Sequence, residues 1–260
     1  MVDLFGLSGA QFETFLLVFI RISTMLFVFP AISSPQVPMQ VRLGLSALLA
    51  FILYRSVPLV TLAPGISELV FAVVCQVVLG LLVGFVSSFV FIGIQFAGEL
   101  IDLQIGFAVA NVINPTTQQQ VTIIGEFELA IATLLFFVTN AHYYLIQGVA
   151  GSFNLVPLPY IHLDPSVAGN VMIFFSAAFT SAFKIAAPVA VALFVTNIAF
   201  AFMSRVAPQM NVFVVGFPIQ VGVGLIMLAV TMPLLGNVAP DLFANVAYQM
   251  DVVMRGLRVH

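Results

Sequence analysis

Residues 68–99 read ELVFAVVCQVVLGLLVGFVSSFVFIGIQFAGE, and no charge falls between Glu68 and Glu99. About 30 such residues would span roughly 45 Å as a helix, more than the ~30 Å of a bilayer core. Strand-like alternation is absent here and along the rest of the chain, which disfavours a β-barrel and predicts an all-α membrane protein. Gly80 and Gly84 form a small-xxx-small pair that permits close helix packing, although glycine is common in such helices and the pair names no partner. The chain's one cysteine, Cys75, also lies in this run. It allows no internal disulfide and reads as a small buried side chain.

The whole chain has the same character. It is 62% hydrophobic and 7% charged, with a mean hydropathy of +1.20. Soluble domains carry about 25% charged residues, because a folded globule needs a hydrated surface. This chain must face lipid or other apolar protein over much of its surface. Its 260 residues suffice for about five to seven spans of ~20 residues. The net charge of −3 implies no nucleic-acid partner. No basic segment precedes the first apolar run in MVDLFGLSGAQFETF, so a cleaved signal peptide is not expected. Seven basic residues scattered singly leave the orientation undetermined.

Apolar runs and breakers divide the sequence. The first run covers 12–29, and Ser8 with Gln11 has capping-box spacing at its start. The prolines of PAISSPQVP (30–38) exclude a continuous helix there. A second run covers 40–57, and a further one 123–149. Residues 152–165, SFNLVPLPYIHLDP, read as a loop in which Asp164-Pro165 starts the next helix. The run at 167–203 is nearly twice a bilayer core in length, so it either kinks and protrudes or breaks near Pro188. A run at 212–236 is interrupted by Pro218 and Pro233. In the tail, Leu242, Phe243, Val246, Met250, Val253, Met254 and Leu257 recur at helical spacing opposite Asn245, Gln249, Arg255 and Arg258. This predicts an amphipathic helix over 241–258, lying against a partner or a membrane surface.

One stretch fits none of these elements. IGFAVANVINPTTQQQ (105–120) is too polar for an ordinary span and too poor in charge for an ordinary solvated loop. Beside it stand Glu99 and Asp102, which share a helix face, and Glu126 and Glu128. Acids at membrane depth are functional candidates, here for a proton or cation relay. Alternatively they cap helix ends or pair with bases of another subunit, and no second ionisable cluster completes a path across the membrane. Lys184, a lone cation in a long apolar helix, snorkels or pairs with a carboxylate, the latter being the preferred reading. His142 and His162 lack neighbours at metal-ligand spacing, and the scattered methionines read as packing. No nucleophile elbow, zinc-protease, phosphate-loop or dinucleotide fingerprint occurs. The chain reads as non-enzymatic, without cofactor or metal.

Two stretches carry a resemblance. GELIDLQIGFAVANVINP (98–115) with TNAHYYLIQGVAGSFNLVPL (139–158), and RVAPQMNVFVVGFPIQVGVGL (205–225), resemble the middle and the C-terminal signature of the FliR family of flagellar type III export-gate proteins. The injectisome counterpart, SctT, shares the plan, but its signature is less like RVAPQMNVF. The resemblance implies a FliP-like part, here 1–165, fused to a FliQ-like helical hairpin, here 166–260, with the tip at RVAPQMNVF facing the cytoplasm. It implies partners FliP, FliQ, FlhB and FlhA, unfolded flagellar substrates and membrane lipid, with one copy in a hetero-oligomer of the bacterial inner membrane. It also places 106–120 as a plug within the assembled pore, carried by Gly106, Phe107, Asn111, Asn114, Pro115, Thr116, Gln118, Gln119 and Gln120. Uncharged amides suit that place, since they offer donors and acceptors without holding a charged substrate. A plain connecting loop is the alternative. Expected subunit contacts are Glu99, Asp102, Lys184, Arg205, Gln209 and Asn211. A secondary transporter or ion channel using the four carboxylates is the competing function.

Overall fold

The computed structural model describes residues 8–63, 65–107, 122–162, 164–209 and 211–258. Among these residues there is no strand. The helices are α1 (Gly9–Val28), α2 (Pro30–Ser33), α3 (Met39–Leu53), α4 (Ile66–Ile105), α5 (Ile123–Val138), α6 (His142–Leu155), α7 (Ser166–Val206) and α8 (Val212–Arg255). A 3-10 turn at Tyr54–Ser56 follows α3.

Local chemistry sets most boundaries. Ser8 Oγ accepts from the Gln11 amide at 3.4 Å while Gln11 Oε1 accepts from the Ser8 amide at 2.9 Å, which completes the expected capping box of α1. Phe29 ends that helix in an extended conformation, as a residue before proline prefers. Asn140, at φ 58°, separates α5 from α6; asparagine tolerates this left-handed region better than most residues. Asp164 Oδ1 accepts from the Ser166 amide at 2.7 Å and starts α7 across Pro165.

Three helices are far longer than a bilayer core requires. α4 has 40 residues, α7 has 41 and α8 has 44. At 1.5 Å per residue each is about 60 Å or more. Among the described residues four helices are long and apolar enough to cross a membrane, or five if α5 and α6 together form one broken span. That is below the expected five to seven, or at its low end if the broken span is counted, because the residues are concentrated in fewer, longer helices.

Of the two outcomes offered at Pro188, a break is excluded, and the expected interruptions at Pro218 and Pro233 do not occur. Pro188 lies inside a continuous α7, and Pro218, Pro233 and Pro240 lie inside a continuous α8. The tail is therefore the last part of α8, not a separate helix over 241–258. Each internal proline deletes one backbone bond, for instance those ending on the Lys184 and Ala229 carbonyls. The rest of a long ladder holds the helix together, as membrane-protein helices tolerate. The expected loop at 152–165 also starts later, because α6 runs to Leu155.

The chain divides into two compact units. The first comprises residues up to Phe89, 140–175, and Phe243 onward. Here the Gly80/Gly84 pair packs α4 directly on α1. A Cβ at Gly80 would collide with Thr24 Oγ1 and the Arg21 carbonyl, and one at Gly84 would lie 2.7 Å from the Met25 carbonyl oxygen. Into this seam projects Arg21, only 2% exposed. Its Nε donates to Gln76 Oε1 at 2.8 Å, Nη1 to the Ser152 carbonyl and hydroxyl at 3.1 and 3.2 Å, and Nη2 to the Val156 carbonyl at 3.0 Å. Its guanidinium carbon stands 4.4 Å from the Phe153 ring centroid. The guanidinium thus caps the C-terminal end of α6, where unbonded carbonyls concentrate negative charge. Sequence reading passed over this residue.

The tail completes this unit. Phe243, Val246, Met250, Val253, Met254 and Leu257 are all buried, and Met250 packs so closely on Gly148 that a Cβ there would lie 2.6 Å from its sulfur. The apolar stripe was read correctly. Its surface is this chain itself, not a partner or a membrane.

The second unit comprises residues 90–139 and 176–242. Its core joins Ala97, Ile101 and Ile105 of α4 to Ile124 of α5, Ala182, Ala186, Val189 and Leu193 of α7, and Leu228 of α8. Phe96 of α4 meets Phe179 of α7 with centroids 4.7 Å apart, and Phe91 meets Phe136 of α5 at 5.5 Å. α7 and α8 run antiparallel in this unit: Gly216 faces Phe200, and Gln220 hydrogen-bonds Asn197. Many large apolar side chains of the pair still point outward, among them Phe183, Val191, Phe194, Phe202, Ile226 and Val230.

Candidate functional site

The anomalous polar stretch leaves α4 and returns at α5, and both edges lie in the second unit. Gly98 of α4 touches the backbone of α5. A Cβ added to it would lie 2.6 Å from Gly125 Cα and 2.8 Å from the Ile124 carbonyl oxygen. Glycine at 98 permits that approach, and a Cβ at Gly125 would be tight as well, 3.2 Å from the Gln95 carbonyl oxygen. Asp102, one turn after Gly98 on the same face, is thereby brought to the first turn of α5. Its Oδ1 and Oδ2 accept from the Ile124 amide at 3.1 and 3.0 Å, and Oδ2 also accepts from the Gly125 amide at 3.3 Å.

This arrangement answers a local need. The first amides of a helix have no intrahelical acceptor, and Thr122, which precedes α5, supplies no side-chain cap. Asp102 does so from another helix, and its negative charge faces the positive end of the α5 dipole. Gly106, at φ 94°, ends α4 with its amide donating to the Asp102 carbonyl at 3.1 Å. Residue 102 therefore holds both edges: its main chain closes α4 and its side chain opens α5.

The other candidate acids gather nearby. Glu99 is half-buried, and Glu126 is exposed with its carboxylate 3.5 Å from Gln95 Nε2, at the outer limit of a hydrogen bond. Glu128 is 1% exposed, and its Oε2 has no hydrogen-bond partner among the described residues. Of the expected plug, Gly106 and Phe107 are described, and Gly106 sits beside the Phe217 ring. Asn111, Asn114, Pro115, Thr116, Gln118, Gln119 and Gln120 lie outside the described residues.

The remaining candidates lie elsewhere. Lys184 is exposed on α7 and Arg205 is exposed on its last turn. Gln209 is exposed between α7 and α8, and Asn211 Oδ1 accepts from the Val214 amide at 3.4 Å. Asn211 thus also caps α8. Among the described residues no three His, Cys, Asp or Glu side chains are grouped to hold a metal ion. The sequence offered Gly98 and Gly125 only as two glycines among 18, with no periodic signal for their meeting.

The relationship to known proteins covers nearly the whole chain. The family model described as "Bacterial export proteins, family 1" matches residues 12–246. The flagellar biosynthetic protein FliR of Bacillus subtilis (strain 168) is 34% identical over 239 residues, which span 90% of this chain and 91% of that protein. FliR of Aquifex aeolicus (strain VF5) is 33% identical over 227 residues, 85% of this chain and 86% of its own length. FliR of Escherichia coli (strain K12) is 28% identical over 227 residues, 87% of each chain. With the long apolar helices and the stapled α4–α5 junction, these matches lead to one assignment: the chain belongs to the FliR family of bacterial export proteins.

Proposed function

We propose that this chain is a non-enzymatic channel subunit of the flagellar type III export gate, assembled with FliP and FliQ in the bacterial inner membrane. FlhB and FlhA would associate with that core, and unfolded flagellar proteins would pass through it. The family match over residues 12–246 carries this reading. The outward apolar side chains of α7 and α8 support it, because helices longer than a bilayer need protein as well as lipid to cover them. In this reading residues 1–165 correspond to a FliP-like part and 166–260 to a FliQ-like hairpin. Arg205, Gln209 and Asn211 form its cytoplasmic tip, and Lys184, Glu99 and Asp102 lie at or near subunit contacts. Residues 106–120 plug the pore. The competing carboxylate relay needs Asp102 free to exchange a proton, whereas its oxygens here accept three backbone bonds.

Deleting 110–118 in cells that also make FliP and FliQ tests the proposal. The complex should be recovered with all three proteins, and the resting membrane should leak ions. A tight membrane with an intact complex removes the plug. Recovery of the wild-type chain alone, monodisperse and without FliP or FliQ, removes the gate assignment.

A further inference from the structure

Two carboxyl groups are buried in the second unit, Asp102 at 4% exposed and Glu128 at 1%, and they are provided for very differently. They meet across the contact of α4 with α5. Gly98 and Asp102 lie one turn apart on α4, and Ile124 and Glu128 one turn apart on α5. Two amides at the positive end of the α5 dipole donate three bonds to Asp102. Glu128 has nothing comparable. Its carboxyl group reaches the Gly98 main chain and feels the Asp102 charge, and its Oε2 is buried with no hydrogen-bond partner among the described residues.

Nor does a cation compensate it. Besides these two, the ionisable residues of the unit are Glu99, Glu126, Lys184, Arg205 and Asp241. The bases Lys184 and Arg205, both on α7, are exposed, as is Asp241 of α8. On α5 itself Glu126 is exposed and turned toward Gln95, and on α4 Glu99 stands against Gly125. What faces Glu128 across the contact is thus another carboxylate, and ionising it would set like charges together away from water. A buried charge without counter-ion or donors costs far more than a neutral hydroxyl without an acceptor.

We propose that Glu128 carries its proton while α4 and α5 are packed together, and that this proton is a latch whose release separates the two helices. The carboxylic acid gives its proton to water and becomes a carboxylate, which needs hydration and repels Asp102. Water has no room at the closed contact, where a Cβ on Gly98 would lie 2.6 Å from Gly125 Cα. Hydrating the carboxylate therefore requires α5 to draw away from α4, which also takes the Ile124 and Gly125 amides off Asp102. The packed junction binds one proton more than the open one, so its stability falls as pH rises. The latch concerns this helix contact alone and does not depend on the export reading.

Infrared spectroscopy and hydrogen exchange of the full-length protein, in micelles or in its complex, test it. At neutral pH the spectrum should contain a carbonyl stretch of a protonated carboxylic acid that is lost in Glu128→Gln and kept in Asp102→Asn and Glu126→Gln. Protection of the Ile124 and Gly125 amides, after division by the intrinsic base-catalysed exchange rate, should fall by up to about tenfold per pH unit in the wild-type chain, as a one-proton link requires. In Glu128→Gln, which keeps the shape and removes the charge, protection should stay level with pH and at neutral pH should equal or exceed the wild-type value. A spectrum with no component lost in Glu128→Gln overturns the proposal, as does the same pH slope in both proteins. Loss of the component in Asp102→Asn instead would assign the proton to Asp102 and overturn it. A Glu128→Gln protein that folds poorly or is less protected at neutral pH would show that the packed junction needs the carboxylate charge, which overturns it too.

Discussion

Replacing Arg21 by Met should destabilise the first unit by about 3–5 kcal/mol, the range for breaking a buried charged network. The guanidinium makes four hydrogen bonds and lies over the Phe153 ring. At ~1.5–3 kcal/mol per bond to a charged group, the gross loss is roughly 6–12 kcal/mol. Removing the cation also removes the cost of burying it, several kcal/mol, which leaves the smaller net figure. What remains in the variant is a Val156 carbonyl and a Gln76 oxygen without donors in an apolar seam. Arg21→Lys separates charge from geometry. An ammonium keeps the burial cost but cannot reach Gln76, Ser152 and Val156 together, so Lys should be no better than Met. Equilibrium unfolding in mixed micelles, followed by far-ultraviolet circular dichroism, ranks the three proteins. If Lys restores more than half of the loss, or if Met costs less than about 1 kcal/mol, the fork-shaped cap on α6 is the wrong explanation.

Two further substitutions probe the other observations. Asp102→Leu should cost about 1–2 kcal/mol, as loss of an N-cap does, and should speed hydrogen exchange at the Ile124 and Gly125 amides; Asp102→Asn, which keeps one acceptor oxygen, should be milder, and unchanged exchange in both would remove the staple. Met250→Asp should reduce the recovered folded protein far more than Ala244→Asp, because Met250 is fully buried against α6 while Ala244 is exposed; equal recovery would contradict the inward packing of the tail.

Sequence patterns revealed those parts of the fold that rest on local chemistry. The capping box at Ser8, the start at Asp164-Pro165 and the buried stripe of the tail each depend on residues close in sequence. Continuity through Pro218 and Pro233 was not legible, and at Pro188 a break and a protruding helix stood side by side, because a proline's local penalty is visible while the many remaining bonds of a 40-residue ladder are not. Arg21 was missed for a related reason. One cation in an apolar run shows no partner until α4 and α6 deliver Gln76, Ser152 and Val156 from residues 55 to 135 positions away. Glu99 and Asp102 were singled out as neighbours on a face, and helix capping was among the readings offered. That Asp102 would cap α5 depended on a glycine-to-glycine contact that no spacing announces.

The clasp at Asp102 also bears on how such a chain can change over generations. Because one residue closes α4 and opens α5, it ties the chain's exit at Gly106 to its re-entry at Thr122. The energetic consequence of lengthening a loop between fixed ends grows only logarithmically, by about 0.6 kcal/mol per doubling. The clasp's own bonds use Asp102, Gly106, Ile124 and Gly125, so they should survive insertions, deletions or replacement of the intervening sequence. Selection can act on its length and chemistry as on a cassette, and a laboratory can do the same, inserting a fluorophore-binding tag or a protease site there while the scaffold folds as before.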